Sequence, residues 1–333
     1  MKVFVTGGTG FVGSHLVSAL LARGDEVVCL ARDPSKVERV FSGGPRPRVI
    51  PGDLGTRDAL AEGARNADVV FHVAGLIAGR GHADYFASNV AGTRNVAEAV
   101  AASAPGLRKF IYVSSVAAAG PSRRGEPLTE SAPPRPLTMY GRSKLAGEEV
   151  LGEFAFPWAV IRPPVVYGPR DTEMYRVFRI AKLGIAAVFG DGSQELSFIY
   201  VEDLVTALIR AIDAPPGKVY FAAHPEVTTT RAMVTAVYRA VRSGGAAGES
   251  TGAPLLLPIP GPIARTSLWL TEKAASLTGR ATLLTLDKAN EFLADAFVVS
   301  PDALRRDTGW EAQWDLSRGL ARTVAWYREA GWL

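Results

Sequence analysis

Cysteine is nearly absent from this 333-residue chain, in which Cys29 is the only one. A single cysteine forms no internal disulfide, and we therefore expect a protein of a reducing compartment, the cytoplasm. Cys29 lies within the apolar run Glu-Val-Val-Cys-Leu-Ala, which favours a small core residue over a catalytic thiol. The four histidines are scattered and show no ligand spacing, so the sequence predicts no metal site.

Charge of one sign and long hydrophobic runs are also scarce. Lys and Arg number 37 against 33 Asp and Glu, a net charge of +4 without any long basic run, so we expect no nucleic-acid partner. The apolar segment 255–270 is interrupted by three prolines and Arg265, and it falls short of the roughly 18 unbroken apolar residues of a membrane span. The sequence predicts no span and leaves a peripheral contact of this segment with a membrane or a partner open.

What the sequence does have is an alternation of short β-branched runs and longer helical patterns. The predicted strands are 2–6, 26–31, 49–52, 69–73, 110–114 and 158–162, and the predicted helices are 13–23, 57–63, 83–103 and 138–154. Such alternation is typical of βαβ units with a parallel sheet. The strands are apolar on both faces, which indicates helices on both sides. We predict an α/β fold of the Rossmann type, with a doubly wound parallel sheet that binds ligands at the carboxyl ends of its strands.

A glycine-rich segment, residues 6–13, follows the first strand and opens the first helix. Gly7 permits a tight turn, Gly10 lets the backbone approach a pyrophosphate, and Gly13 allows the helix to pack closely. The free N–H groups of the helix N-terminus favour phosphate binding. We therefore predict a dinucleotide site that also includes the neighbouring residues Thr9, Phe11 and Val12.

The end of the second strand bears on which cofactor is bound. An acidic residue there usually selects NAD, whereas an arginine accommodates the 2′-phosphate of NADP. Arg32 ends the strand, and Asp33 precedes Pro34 as a helix cap. The sequence favours NADP(H) and keeps NAD(H), with Arg32 as an ordinary surface residue, as the alternative. After the third strand, Asp53 either accepts a hydrogen bond from the adenine amine or caps the next helix.

Tyr140 and Lys144 are four residues apart, on one face of a predicted helix. A free phenol has a pKa of about 10, and we expect the ammonium group of the lysine to lower it. Tyr140 would then exchange a proton with a substrate oxygen while hydride moves to or from a nicotinamide. Ser115 ends the fifth strand and is predicted to orient that oxygen, with Ser114 as the competing candidate.

These segments together resemble the extended short-chain dehydrogenase/reductase family, also called the NAD-dependent epimerase/dehydratase family. The likeness rests on residues 6–13, 53–54, 71–75, 89–95, 113–115, 162–169, 201–204 and 308–310, and on Tyr140 with Lys144. It implies a Rossmann core that binds NAD(P), a smaller C-terminal substrate lobe and a Ser-Tyr-Lys catalytic set. It also implies a homodimer formed through the helices that contain 89–102 and 140–151. By position, the resemblance adds to the cofactor site Leu54, Ala74 and Gly75, with Pro163 and Val166 near the nicotinamide.

The domain organisation follows from the loss of regular rhythm after the sixth strand. We assign residues 1–165 to the NAD(P)-binding Rossmann domain, with returning segments near 197–222, which include a helix at 201–212 and a strand at 218–222. Residues 166–333 are mainly the substrate-binding lobe, with an amphipathic helix at 316–329. The glycine-rich stretch 244–248 predicts a loop.

Two departures from the family pattern concern the substrate. Relatives that act on nucleotide sugars usually carry Asn where this chain has Val165, and Arg where it has Leu196. Each charge-assisted hydrogen bond to a diphosphate is worth about 1.5–3 kcal/mol. Apolar residues at both positions therefore favour a less polar alcohol or ketone, as in the dihydroflavonol-reductase-like and 3β-hydroxysteroid-dehydrogenase-like branches.

Three functions compete at this point. The first is an NADP(H)-dependent oxidoreductase of a low-polarity alcohol or ketone, with net turnover of the cofactor. The second is a nucleotide-sugar epimerase or dehydratase that uses the same residues without net cofactor change. The third is a non-catalytic cofactor-binding protein, although such relatives often lose the Tyr/Lys pair that is present here. The sequence leaves the substrate's identity, the stereochemistry and the reaction direction undetermined.

Overall fold

The computed structural model describes residues 1–245, 252–279 and 281–333. Its strands are β1 (Lys2–Thr6), β2 (Glu26–Ala31), β3 (Arg48–Pro51), β4 (Val69–His72), β5 (Lys109–Val113), β6 (Trp158–Arg162), β7 (Val165–Tyr167), β8 (Ile185–Phe189), β9 (Glu195–Leu196), β10 (Phe198–Tyr200), β11 (Lys218–Phe221), β12 (Thr228–Thr229), β13 (Leu255–Ile259) and β14 (Ala296–Phe297).

The helices are α1 (Phe11–Ala22), α2 (Pro34–Val40), α3 (Arg57–Ala64), α4 (His82–Phe86), α5 (Gly92–Ser103), α6 (Val116–Ala119), α7 (Met139–Leu151), α8 (Thr172–Lys182), α9 (Val201–Arg210), α10 (Thr230–Ser243), α11 (Gly261–Leu277), α12 (Ala289–Phe292), α13 (Asp302–Thr308) and α14 (Leu316–Glu329). A π-helical turn, Ala87–Ala91, joins α4 to α5. None of the helices in the described ranges has the length and apolar character needed to cross a membrane.

A seven-stranded parallel sheet forms the centre of the fold, in the order β3-β2-β1-β4-β5-β6-β11. The order reverses between β1 and β4, which is the switch point where a doubly wound sheet binds its ligand. Successive residues of β1 enter opposite cores: Val3 and Val5 pack on one face of the sheet and Phe4 on the other. The predicted fold class is therefore confirmed, and Cys29 is a buried core residue on the first of these faces.

The predicted strands and helices of the first half agree with the structure within about two residues at most ends. The clear difference is the helix predicted over residues 83–103, which is divided into α4, the π-helical turn and α5. The sequence pattern does not reveal this turn, because a π-helical turn keeps the chain helical and adds only one residue to the local repeat.

The C-terminal lobe has a hydrophobic core of its own. It is built from aromatic and aliphatic side chains of α8, α10 and α14, together with Tyr167, Phe198 and Tyr200. Three small sheets flank it: β7 with β10, β8 with β13, and β12-β9-β14. The β8–β13 pair was not predicted from the sequence. The division of the chain at residue 165 stays a prediction.

Several C-terminal segments return to the central sheet. Helix α9 packs beside α1, and β11 extends the sheet as the neighbour of β6. The assignment of the segments near 197–222 to the Rossmann domain stays a prediction. Leu304 of α13 and Trp310 also enter the core of the sheet, a further return that the sequence did not indicate. Of the predicted loop at 244–248, Gly244 ends α10 in a left-handed conformation, and residues 246–248 lie outside the described ranges.

Candidate active site

The glycine loop lies between the end of β1 and the start of α1. Gly7 has a φ of +76°, which explains the glycine at the tight turn. A Cβ on Gly10 would meet only the carbonyl oxygen of Gly7, at 3.3 Å, so the space above the first turn of α1 is open. A Cβ on Gly13 would lie 2.1 Å from that same oxygen. Gly13 thus lets α1 pack closely against the loop itself.

The segment after β4 runs directly beside this loop. A Cβ on Gly7 would lie 2.5 Å from the backbone nitrogen of Ala74, so the two loops meet at the switch point of the sheet. One residue further, a Cβ on Gly75 would be 3.1 Å from Asn89 Oδ1 and 3.4 Å from Lys144 Nζ. The predicted cofactor residues Gly7, Ala74 and Gly75 therefore form one continuous surface that leads to the lysine.

Asn89, in the π-helical turn, fixes this surface, and sequence reasoning did not single it out. Its Oδ1 accepts from the backbone N–H of Leu76 at 2.7 Å, and its Nδ2 donates to the Leu76 carbonyl and to Ser143 Oγ at 3.0 and 2.9 Å. The side chain thus ties the segment after β4 to α7. A π-helical turn often marks a functional site, and the extra residue here aims Asn89 into the interior.

The residues predicted around the adenosine lie at the ends of β2 and β3. Arg32 is exposed, and its charge helps to hold the pKa of Asp53 below its usual value, after larger contributions from hydrogen bonds with Gly55 and Thr56. Asp53 Oδ1 accepts from Gly55 N at 2.9 Å and from Thr56 Oγ1 at 3.0 Å. The carboxylate therefore stabilises the turn that precedes α3. The carbonyl of Leu54 accepts from Asn95 at 2.8 Å.

Asp33 caps α2, as predicted. Its side chain accepts hydrogen bonds from the backbone N–H groups of Ser35 and Lys36. Since the Asp33 carboxylate is engaged in this cap, Arg32 is the charged side chain at the end of β2 that could contact the 2′-phosphate of NADP.

Tyr140 and Lys144 lie in the first half of α7, and the helix presents both toward the carboxyl end of β5. Burial raises the pKa of Tyr140 to about 12, while a hydrogen bond with the Ser115 hydroxyl acts in the opposite direction. Burial lowers the pKa of Lys144 to about 7, against the carboxylate of Glu148, which raises it. Tyr140 is therefore protonated at neutral pH, the form that donates a proton.

Among the protein groups alone, Lys144 does not lower the pKa of Tyr140 as the sequence argument expected. The ammonium Nζ donates to the backbone carbonyl of Val113 at 2.8 Å and lies 4.1 Å from the centroid of the Tyr112 ring. Because burial dominates the pKa of Tyr140, the sequence argument had the direction of its shift wrong for the protein alone.

Ser114 and Ser115 have different surroundings. Ser114 is buried, and its hydroxyl donates to Glu148, which also forms a buried ion pair with Arg162. Ser115 is partly exposed and lines the large cavity of the lobe. The backbone carbonyl of Pro163, at the predicted nicotinamide end, accepts from Val116 N at 2.9 Å. The geometry therefore favours Ser115 over Ser114 for contact with a substrate.

A second lysine, which sequence reasoning missed, stands over the phenol. Lys288 Nζ lies 5.2 Å from the centroid of the Tyr140 ring and forms an ion pair with Glu291. Glu291 also accepts from Thr138, the residue that caps α7. No local motif surrounds Lys288, and only the tertiary fold brings it to Tyr140.

A cavity of about 410 Å³ opens from Ser115 into the lobe. Both positions that departed from the family pattern, Val165 and Leu196, line it. Most of its other lining residues are aliphatic or aromatic side chains of α8, β8 and α10, among them Met174, Ile180, Ala186, Val188, Met233 and Val234. The charged residues at its wall are Lys288 and Glu291, which are paired with each other.

The comparison with known families matches residues 3–223 to the NAD dependent epimerase/dehydratase family. The chain belongs to this family. Its homologues include reductases, dehydrogenases and epimerases, and the chain is an NAD(P)-dependent enzyme of the short-chain dehydrogenase/reductase superfamily.

Three of these relatives match this chain over nearly its full length. A ceramide reductase from Caulobacter vibrioides is 34% identical, over 99% of this chain and 96% of the relative. A 4-hydroxy-2-methyl-3-oxo-4-farnesyl-3,4-dihydroquinoline-1-oxide ketoreductase from Stigmatella aurantiaca is 30% identical, over 92% of this chain and 96% of the relative. A UDP-glucose 4-epimerase from Mycolicibacterium smegmatis is also 30% identical, over 98% and 99%.

Solved structures of the same family share the fold. UDP-glucose 4-epimerase of Thermus thermophilus, in complex with NAD, superposes with a TM-score of 0.77 at 26% identity and covers 99% of this chain and 100% of its own. UDP-glucuronic acid 4-epimerase of Bacillus cereus, in complex with UDP-glucuronic acid and NAD, has a TM-score of 0.77 at 21% identity, with coverage of 99% and 100%.

Proposed function

We propose that this enzyme transfers hydride reversibly between NADP(H) and a ketone or alcohol of low polarity, with Tyr140, Lys144 and Ser115 as its catalytic residues. The observation that carries the proposal is the apolar cavity that begins at Ser115 and is lined by Val165 and Leu196. Apolar walls stabilise a hydrocarbon substrate through burial and leave a diphosphate without partners.

The relatives support the same class of substrate. The Caulobacter relative is named for ceramide, and the Stigmatella relative is named for a compound with a farnesyl group. Both compounds have long hydrocarbon parts. We therefore propose a carbonyl compound with a long apolar substituent, whose carbonyl group lies at Ser115 while its chain extends between α8 and α10.

The proposed chemistry assigns one task to each residue. The nicotinamide, when bound, supplies the hydride for the carbonyl carbon. Tyr140 donates its phenolic proton to the carbonyl oxygen, Ser115 hydrogen-bonds that oxygen, and Lys144 binds the ribose hydroxyls with the N–H groups that it does not donate to Val113. Because Tyr140, whose pKa burial raises to about 12, is protonated at neutral pH, the protein alone holds the proton that carbonyl reduction requires.

The chain's own groups fit an NAD(P) molecule along the carboxyl ends of the strands. The open space above Gly10 and the free N–H groups at the start of α1 suit the pyrophosphate, for which we propose Gly7, Thr9, Gly10, Phe11, Val12 and Gly13 as the binding residues. We propose Arg32 for the 2′-phosphate, Leu54 and the turn at Asp53 for the adenine, Ala74 and Gly75 for the central part, and Pro163 and Val166 for the nicotinamide. NAD(H) is the alternative cofactor.

Cofactor choice is tested by titrating NADPH and NADH into the wild type and Arg32→Ala. Loss of a charge-assisted contact of about 1.5–3 kcal/mol corresponds to an NADPH affinity about 10- to 150-fold lower, with NADH affinity unchanged. Arg48→Ala, an exposed arginine paired with Glu62 at 2.9 Å, is the control. Equal affinity of the wild type for both cofactors would contradict the NADP assignment.

The epimerase relative and the epimerase structures favour a second candidate function, nucleotide-sugar epimerisation, which uses the same three residues. The decisive experiment is a calorimetric titration of the NADPH-loaded enzyme with UDP and with UDP-glucose. Micromolar binding would overturn the apolar-substrate proposal. Without binding, a panel of long-chain ketones should consume NADPH, and Tyr140→Phe should lower that rate about 10²- to 10⁴-fold.

We also propose a homodimer formed through α5 and α7. Light scattering of the purified enzyme measures its mass directly. A value near 35.4 kDa, the mass of one chain, would contradict this assembly.

A further inference from the structure

One side of the lobe carries an unusual amount of exposed apolar surface. We call it the apolar rim, and it consists of Ile180, Leu183, Leu255, Leu257, Ile263, Trp269, Leu270 and Leu277. Leu183 is 75% exposed and Leu277 91%, values that single large side chains can reach. Eight such side chains within a few neighbouring elements indicate an interaction site, since extended apolar patches mark such sites.

The members of the apolar rim are linked through the backbone. Leu255 donates its N–H to the carbonyl of Gly184 at 2.8 Å, which brings it next to Leu183 at the end of α8. Strand β13 then pairs with β8 and continues through Pro260 into α11. The rim therefore follows one connected path over α8, the β8–β13 pair and α11.

Helix α11 carries large apolar side chains on its exposed face. Ile263, Leu270 and Leu277 are spaced by seven residues, so they share one face of the helix, and all three are exposed. The opposite side is held to the protein by Ala264 and Leu268, the two residues of this helix that are buried.

The cavity of the active site opens at the apolar rim. Ile180 and Ala187 line the cavity and are exposed as well. Ala187 is also the register partner of Leu257 of the rim. A long apolar chain would enter between these residues and reach Ser115 along a mainly apolar wall.

The charges within these segments are predominantly positive. Residues 179–188 and 252–279 contain the basic side chains Arg179, Lys182, Arg265 and Lys273, all exposed, and a single acidic one, Glu272, which accepts from the backbone of Leu286. Lys273 lies on the exposed face of α11 between Leu270 and Leu277. Apolar side chains interleaved with lysine and arginine suit a bilayer with anionic headgroups.

We propose that the apolar rim docks on an anionic phospholipid membrane and takes a lipid substrate from it into the cavity. A second copy of the chain fits less well, because a symmetric interface would bring the same positive charges together. The uptake of a lipid substrate rests on the proposed function, whereas the docking does not, since binding to a membrane is measured without substrate or turnover.

The test is flotation of the full chain with vesicles of phosphatidylcholine that contain phosphatidylglycerol, and with vesicles of phosphatidylcholine alone. We expect binding to the anionic vesicles that weakens as salt is added. Leu270→Glu should abolish it, and Lys273→Gln should weaken it about fivefold, the effect of removing one basic residue near a charged surface. Val227→Glu, at an exposed apolar residue outside the rim, should leave it unchanged.

Matching thermal unfolding curves and matching NADPH affinity would establish that the variants are folded. Absence of flotation with anionic vesicles, or flotation that Leu270→Glu leaves intact, overturns the proposal. Self-association that Leu270→Glu abolishes, without binding to vesicles, also overturns it and assigns the rim to a second copy. Ketone reduction that persists in any of these cases leaves the proposed function standing.

Discussion

Two adjacent hydroxyls at the end of β5 have opposite surroundings. Alternation along a strand sends Ser114 toward the buried Glu148–Arg162 pair and leaves Ser115 at the cavity. We expect Ser115→Ala to lower kcat for ketone reduction at least tenfold. Its hydroxyl also caps α6 by accepting from Ala117 N at 3.2 Å, so the variant should lose only the roughly 0.5–2 kcal/mol of stability that such a cap provides. Ser114→Ala should lower stability by about 1–3 kcal/mol, because a buried carboxylate loses a donor. Steady-state kinetics and thermal unfolding separate the two, and the reverse pattern would exchange their roles.

The lowered pKa of Lys144 predicts that cofactor binding depends on pH. Burial lowers its pKa to about 7, so the free enzyme loses the positive charge as the pH rises through neutrality. If the charged form binds the cofactor, affinity for NADPH should fall about tenfold between pH 6 and pH 8. Fluorescence titration of NADPH measures this, and Lys144→Gln should show weak binding with little pH dependence. An affinity that rises with pH in the wild type would contradict the assignment.

At the scale of elements, the glycine loop and α1 act as one unit. In Gly13→Ala the new Cβ would collide with the Gly7 carbonyl, a backbone atom that cannot move without opening the turn. We expect a loss of NADPH binding of at least tenfold and a lower melting temperature. Gly44→Ala, where a Cβ meets nothing within 4 Å, is the matched control. Equal behaviour of the two variants would contradict the role of Gly13.

The elements of the cofactor half were predictable because each carries its own signal. The glycine spacing, the apolar strands and the Tyr140–Lys144 spacing are all local patterns in the sequence. Lys288 carries no such signal, since its role arises from a contact with Tyr140, about 150 positions earlier in the chain. Asn89 begins the family segment 89–95, but its contacts with Leu76 and Ser143 depend on a π-helical turn that the sequence pattern does not reveal. The pKa of Tyr140 was also beyond sequence reasoning, because its direction depends on burial in the folded protein.

For the whole molecule, the apolar cavity predicts a dependence on chain length. Each added methylene that is buried contributes about 0.8 kcal/mol, so KM should fall about fourfold per methylene until the cavity is filled. Leu196→Asn, a polar residue of similar size at the cavity wall, should flatten this trend and affect the shortest ketones least. Kinetics over a homologous series of ketones, followed through NADPH consumption, would measure it. A KM independent of chain length would contradict the binding mode.

Helix α7, which carries Tyr140 and Lys144, is held at its N-terminus by residues far along the chain. Met139 N donates to Asp287 at 2.8 Å, and Thr138, the cap, donates to Glu291. The contacts within the cofactor half join residues that leave the ribosome much earlier. During synthesis the sheet from β1 to β6 can therefore assemble first, while Tyr140 is still free of the groups that bury it. The surroundings of Tyr140 are complete only when the last fifth of the chain has emerged and packed on the helix.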